Sequence, residues 1–455
     1  MRVVITILVL LLLGAGGAWW MAGRSTPPAI EIPQPSRLIG QKGDLTVVVK
    51  TPGGELTELR VVISQGDKST GFSYEGNDAA SLAGEGGEIR ITRPIGKRDI
   101  PELVAGPAKI TVTAVRPVLF GYRKIEATVS KDVEVRLNPP LVGVQSTHHY
   151  INHGGSEMVV YRVTGEAAES GVRVGDIEYP GFPASGAGVP NADGLYVAFF
   201  ALLWDQDPNT SISVFARDEV NNESTASFDY RVFPKAFRKS RIEIDDRFLQ
   251  KVVPTILHNT PELDTSNDAD LAAKFVRINR DLRRENNAKI ASLANETDPK
   301  ILWQGPFKQL VNTAVEAGFA DQRTYVYKGQ DIDNAVHLGY DLASLSMAPV
   351  QASNRGKVLF AGWLGIYGNC VILDHGMGLQ SLYAHLSSID VKVGDMVDLG
   401  GRLGRTGATG LAAGDHLHFT MLLDGRSITP VDWWSAQWVK DRILRKLQEA
   451  GAPAS

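Results

Sequence analysis

Along most of this chain apolar and polar residues alternate with a period of two, and Gly, Asn, Asp and Pro turns interrupt the runs. Leu45-Thr46-Val47-Val48-Val49, Glu58-Leu59-Arg60-Val61-Val62-Ile63 and Lys109-Ile110-Thr111-Val112-Thr113-Ala114 read as short strands. They place a first β-sandwich module over residues 37–138. A second module, 139–238, follows Pro139-Pro140, with strands at Met158–Val163 and Ser211–Ala216. Over 239–301 the period lengthens to 3.6. Leu271, Phe275, Ile278 and Leu282 form one apolar stripe opposite Arg277, Arg280, Arg283 and Arg284, with Ser266-Asn267-Asp268 as the expected cap. This predicts a helical spacer whose arginines form a solvated face. From 302 to 435 the period of two returns, and Trp433, Trp434, Trp438, Ile443, Leu444 and Leu447 predict a closing amphipathic helix within 436–455, its last residues frayed.

The N-terminus departs from both patterns. Val3 to Ala22 is an uncharged apolar run, and twenty helical residues rise roughly 30 Å, enough to cross a bilayer core. A cleaved signal peptide is the competing reading, since Gly14 to Ala18 offers small residues. The length of the run and Trp19-Trp20 favour a retained transmembrane anchor over 1–25. Either way the rest of the chain is exported. Pro27, Pro28, Pro33 and Pro35 predict a stiff linker over 26–36.

Composition narrows the function. The 455 residues are 43% hydrophobic and 22% charged, with a net charge of −4, which argues against nucleic-acid binding. Cys370, the single cysteine, excludes an internal disulfide and zinc–thiolate clusters, and its run Cys370–Leu373 predicts a buried structural thiol. Five of nine histidines fall between His337 and His418. In an extended strand His416 and His418 share a face while Leu417 and Phe419 face a core; His337 and Asp341, four apart, share a side as well. Two imidazoles and a carboxylate are three ligands that zinc accepts, leaving a fourth position for water or substrate. His148, His149 and His153 lack an acidic partner in their motif and read as structural. A cupin-type site expects a glutamate soon after His-x-His, and Thr420-Met421-Leu422-Leu423 supplies none.

The blocks Phe319–Tyr325, His337-Leu338-Gly339-Tyr340-Asp341, Tyr367–Gly376, Tyr383-Ala384-His385-Leu386, Gly404–Gly410 and Gly414-Asp415-His416-Leu417-His418-Phe419 resemble, in order, those of the lysostaphin/LytM-type zinc endopeptidases. Membrane-anchored Gram-negative members with β-rich N-terminal modules are similar in layout. The resemblance implies an antiparallel-β peptidase domain; with the segments read above, the expectation is a mainly β, multidomain protein of a transmembrane helix, two immunoglobulin-like β-sandwich modules, the helical spacer and that domain. It implies one Zn2+ per chain on His337, Asp341 and His418, with His385 and His416 catalytic and Arg323, Tyr340 and His375 as candidate groove contacts. The implied substrate is peptidoglycan peptide. The implied location is the bacterial inner membrane, spanned once, with the bulk in the periplasm. The Ala216–Asn222 phrase resembles the Ala-x-Asp-x-x-Gly-Asn turn of bacterial immunoglobulin-like modules, with Asn221 in place of Gly, and these modules could hold a protein partner. A non-catalytic regulator or scaffold of other wall hydrolases is the alternative. It expects a loss among His337, Asp341, His385, His416 and His418, and none is lost.

Overall fold

The computed structural model describes residues 2–51, 56–82 and 87–453; the final two residues of the expected frayed tail lie outside these. The chain is mainly β and divides into two compact units. One holds Met1–Pro140, Glu166–Ala168 and Arg217–Glu223; the other holds Leu141–Gly165, Glu169–Ala216 and Ser224–Ser455.

The first unit opens with helix α1, Arg2–Ala22, which is long and apolar enough to cross a membrane. Residues 26–36 are not a free linker. Ala29–Gln34 forms an edge strand antiparallel to Asp44–Lys50, and Pro33 is tolerated because an edge position can do without one N–H. A five-stranded sheet runs Leu38–Ile39, Arg123–Val135, Gly106–Val118, Glu58–Gln65, Lys68–Glu75. Val47, Val49, Leu59, Val61, Ile110 and Val112 are buried between the sheets, as alternation requires. Asn221 takes φ 59°, and Asp218 Oδ1 accepts from Val220 N and Asn222 N, so Asn serves where Gly is usual.

In the second unit, Phe182–Pro183, Leu195–Ala201, Ser156–Thr164 and Leu141–Val144 form one sheet. His149 and His153 are buried here as packing residues: His149 bonds Ser146 Oγ and the Asp229 carbonyl, and His153 the Gln206 carbonyl. The C-terminal helical segment packs on this sheet. Its Lys446 donates to Glu157 Oε1 at 2.9 Å and to the Met158 carbonyl at 2.7 Å, with both charged side chains fully buried.

The helical segment is not a spacer. Strand β1, Lys239–Ile244, runs parallel to β2, Asp321–Tyr327, which pairs with β3, Gln330–His337. Helix α2, Asp246–Asn259, and the helical stretch from Leu271 to Leu293 then bury Leu249, Val253, Phe275, Ile278 and Leu282 against Leu359, Ile366, Cys370 and Ile372. Truncating fully buried Phe275 to Ala would cost about 3–5 kcal/mol, so these helices are core to this domain. The cap is Asp270, accepting from Ala273 N, while Asp268 is drawn away to Arg277. The arginine face is not simply solvated: Arg277 pairs with Asp268, Arg280 with Asp333 and Arg284 with Asp281.

The site sits on a sheet that contains, in spatial order, β4 (Tyr340–Ala343), β8 (Leu417–Leu423), β7 (Leu379–Leu386), β6 (Asn369–Gly376) and β5 (Gly356–Trp363). Every residue of β7 and β8 is buried. Cys370, on β6, is fully buried, and burial pushes its thiol pKa up, so it stays unionised.

Asp432, after β8, is buried with Oδ1 accepting from Asn152 Nδ2 at 2.8 Å and Oδ2 unpartnered. Burial pushes its pKa up to about 6; the Asn152 bond opposes this, Glu157 adds to it, and Lys235 and Arg442 weaken it. A raised acid pKa stabilises below the unfolded value near 3.8, and that stability is lost as pH rises through 6, about 3 kcal/mol at most. Asp432→Asn keeps the Asn152 bond and abolishes the charge. Thermal melts should show the variant more stable than the parent at pH 8, with the gain gone by pH 4.

Candidate metal centre

Strand register brings the site together. Asp341 on β4 stands opposite His418 on β8, and His418 stands opposite Ala384, the residue before His385, on β7. His337 closes β3, and Leu338-Gly339 turns the chain into β4 so that His337 and Asp341 emerge on one side. A Cβ on Gly339 would lie 2.5 Å from both His418 Cε1 and Thr420 Oγ1, so only glycine lets these strands approach so closely.

Three ligand atoms meet in one buried place. His337 Nε2 lies 2.8 Å from Asp341 Oδ1 and 3.0 Å from His418 Nδ1, and His418 Nδ1 lies 2.9 Å from the same carboxylate oxygen. Bonds of about 2.0–2.1 Å in a tetrahedral zinc shell put donor atoms about 3.3 Å apart, so a few tenths of an ångström of movement would admit the ion. His337, Asp341 and His418 thus form a cluster that could hold a metal.

The hydrogen bonds around the cluster select its tautomers. His337 Nδ1 donates to the Gly318 carbonyl, leaving Nε2 as a lone pair towards the cluster. Thr420 Oγ1 donates to the Leu338 carbonyl, so it accepts from His418 Nε2, and His418 Nδ1 is the bare nitrogen. His385 Nδ1 donates to the Thr409 carbonyl and His416 Nδ1 to the Gly414 carbonyl. Each of the four imidazoles is held by its outer nitrogen and offers the other inward, the arrangement metal-binding histidines use to fix ring orientation. His385 and His416 stand beside the cluster, ring centroids 4.9 Å apart, with His416 Nε2 at 3.5 Å from Asp341 Oδ1. His385 also has φ 63°, a left-handed backbone that costs energy for any side chain with a Cβ and tends to persist where function requires it.

Electrostatics separate the roles. Burial alone would raise the Asp341 pKa, but His337, His416 and His418 outweigh it and hold the carboxyl well below its ordinary range. Burial, aided by His416 and His418, holds His385 well below 6.5, so its ring is neutral and able to take a proton. Burial also lowers His418 to about 4, keeping its nitrogen free for a cation.

Arg323 lines the groove, but its guanidinium faces the metal cluster. Nη2 reaches Asp341 Oδ2 at 3.3 Å and Nε reaches Asp321 Oδ2 at 3.3 Å, while Asp321 Oδ1 accepts from Ser240 Oγ at 2.7 Å. This chain from β1 occupies Oδ2 and leaves Oδ1 to the imidazoles. Tyr340 alternates to the other side of β4 and packs edge-on against Trp434. His375 is fully buried away from the groove. Nδ1 bonds the Arg355 carbonyl and Nε2 the Ser381 hydroxyl, both at 2.7 Å, and burial pulls its pKa down to about 4.

The groove over the cluster has an open volume of about 210 Å3. Its walls include Ile242, Phe248 and Arg283, all from the segment expected to be a spacer, and Glu316, Ile366 and Leu411. Lys251 Nζ on α2 donates to the Ala413 carbonyl at 2.8 Å, tying that helix to the loop that leads into His416. Of these features only Thr420 was within reach of sequence reasoning, since it follows His418 by two on the same face.

Residues 335–430 match the model of peptidase family M23. Over 96 residues the chain is 40% identical to the DD-carboxypeptidase/endopeptidase Mpg of Neisseria meningitidis serogroup B, which is 21% of this chain and 22% of that protein. It is 34% identical over 118 residues to the peptidoglycan DD-endopeptidase ShyB of Vibrio cholerae, 26% of each chain. It is 37% identical over 98 residues to lysostaphin of Staphylococcus staphylolyticus, 21% of this chain and 20% of that protein. The matched region spans only about a fifth to a quarter of these relatives, and Ser240, Asp321 and Arg323 lie before the family-model match.

Loss of the Arg323 clamp should therefore be felt at the metal. Arg323→Ala should weaken divalent-metal binding about 10–100-fold in competition with a chelating dye, with an unchanged far-ultraviolet spectrum. Arg323→Lys, which lacks the fork, should recover only part of the loss.

Proposed function

We propose that this chain, whose residues 335–430 form a peptidase M23 domain, is a zinc-dependent endopeptidase that cuts peptide bonds of peptidoglycan in the bacterial envelope. The observation that carries the reading is the meeting of three inward-facing ligand atoms beside two further imidazoles whose tautomers are already set. The substrate class is supported by the names of the relatives, among them a peptidoglycan DD-endopeptidase.

His337 through Nε2, His418 through Nδ1 and Asp341 through Oδ1 would hold one Zn2+. When bound, zinc supplies Lewis acidity towards the scissile carbonyl and lowers the pKa of water to near 7. His385 and His416 share the proton work: a neutral ring takes the proton of the attacking water on its inward nitrogen, and a protonated ring returns one to the leaving amine. The groove walls position the peptide, and the buried setting of the cluster limits competing water. The segments 37–138 and 139–238 are read as immunoglobulin-like modules offering surface to a protein partner. α1 is read as a single anchor in the inner membrane, with the bulk of the chain in the periplasm. The regulator alternative is not favoured, because all five residues it would forfeit are present.

Full-length protein in detergent, incubated with peptidoglycan sacculi, should release muropeptides that mass spectrometry assigns to one cleaved peptide bond, and a chelator should stop the release. His418→Ala should lose both zinc, by elemental analysis, and hydrolysis. His385→Ala should keep one zinc per chain while turnover falls about 100- to 10,000-fold. Full activity with normal zinc content in both variants would overturn the assignment.

A further inference from the structure

The first unit carries a long hairpin, Gly106–Val118 paired to Arg123–Val135, whose 13-residue strands each extend roughly 40 Å. Its last pair is Val118 with Arg123, and Leu119, Phe120, Gly121 and Tyr122 form the tip. Phe120 is 99% exposed and Tyr122 79%. Single exposed apolar residues are ordinary, so exposure alone decides nothing. Three further observations bear on this tip.

The first is its backbone. Leu119 has φ 52° and Phe120 φ 54°, consecutive left-handed conformations that tight hairpin turns normally give to Asn or Gly. A side chain with a Cβ costs roughly 1–2 kcal/mol there, and Phe120 recovers none of it by burial. The turn therefore holds two large apolar side chains against its own local preference. Strain kept without a packing return points to a surface partner.

The second is position. Arg123, at the base of the tip, donates through Nη1 to the Trp19 carbonyl, and its guanidinium lies 5.3 Å from the Trp19 ring. A Cβ on Gly23 would come within 2.1 Å of Arg123 Nη2, so the guanidinium lies against the last turn of α1. Trp19 and Trp20, with Arg24 stacked 3.8 Å over Trp20, close the apolar run as interfacial anchors do. The base of the tip thus lies beside the aromatic end of α1.

The third is charge. Arg116 to Ile125, the tip and the pairs next to it, contains no Asp or Glu but includes Arg116, Arg123 and Lys124, a balance that suits lipid phosphates.

We infer that the Leu119–Tyr122 tip is a second membrane contact, with Phe120 and Tyr122 seated among the headgroups of the leaflet into which Trp19 and Trp20 emerge. This rests on the reading of α1 as a membrane anchor. Two attachment points, one spanning and one interfacial, would hold the first unit at a fixed tilt to the bilayer instead of letting it swivel about α1.

The test uses the full chain in vesicles of phosphatidylethanolamine and phosphatidylglycerol carrying spin-labelled quencher lipids. Cys370 is fully buried, so an introduced surface thiol can be labelled with a fluorophore, and the parent chain measures background labelling. Phe120→Cys and Tyr122→Cys report on the tip, Leu12→Cys on α1, and Lys68→Cys on a different hairpin of the same unit. Shallow quenchers should quench the probes at 120 and 122 several-fold more than the probe at 68, and deep quenchers should act on the probe at 12. If 120 and 122 behave like 68 while 12 is quenched, α1 is an anchor but the tip does not touch lipid, and the inference falls; a protein-docking tip would give this result. If 12 is also unquenched, the anchor reading fails and the inference falls with it.

Discussion

A single buried carboxylate oxygen organises the candidate metal centre of this molecule. Asp341 Oδ1 lies within 2.8–3.5 Å of nitrogens from His337, His416 and His418, side chains contributed by two separate stretches of the fold. Burial opposes ionisation of Asp341, and the influence of the surrounding histidines outweighs it, so the carboxyl is held well below its ordinary range. The outer hydrogen bonds then matter as much as the inner ones. Gly318, Thr409 and Gly414 supply carbonyls and Thr420 a hydroxyl, so no ring has to turn over for its inward nitrogen to act.

That inner geometry was legible in the linear order of residues, because a period of two is a statement about faces. His416 and His418, or His337 and Asp341, cannot be extended without sharing a side. What alternation cannot convey is which other element covers a face. The stripe Leu271, Phe275, Ile278, Leu282 identifies an apolar surface, and a helix with such a surface suits a spacer as well as a core. Only tertiary packing reveals that β1 joins β2 and that Ile242, Phe248 and Arg283 wall the groove. Prolines misled in the same way at Ala29–Gln34, where pairing to a neighbour overrode the local signal for a linker. His375 illustrates a third limit: its neighbouring glycines suggested a groove rim, but Arg355 and Ser381, distant in their own segments, consume both ring nitrogens.

The molecule also carries polar groups in unusual places outside the site. Lys446 and Glu157 are charged, fully buried and hydrogen-bonded to each other, and Asp432 is buried nearby with one oxygen unmatched. Such pairs add little net stability compared with apolar replacements, but they are intolerant of mispairing. Their effect is to fix how the C-terminal helical segment registers on the strand Ser156–Thr164, and Trp433, whose Nε1 reaches Ser156 Oγ, does the same from the domain side.

The absent side chain of Gly339 has a consequence for judging related chains. It binds nothing and ionises nothing, yet it is the space in which the His418 ring sits. A homologue could keep every histidine and the aspartate, pass any inventory of ligands, and still be inert because one added methyl group pushes two strands apart. Competence in such sites is written in empty volume as well as in functional groups.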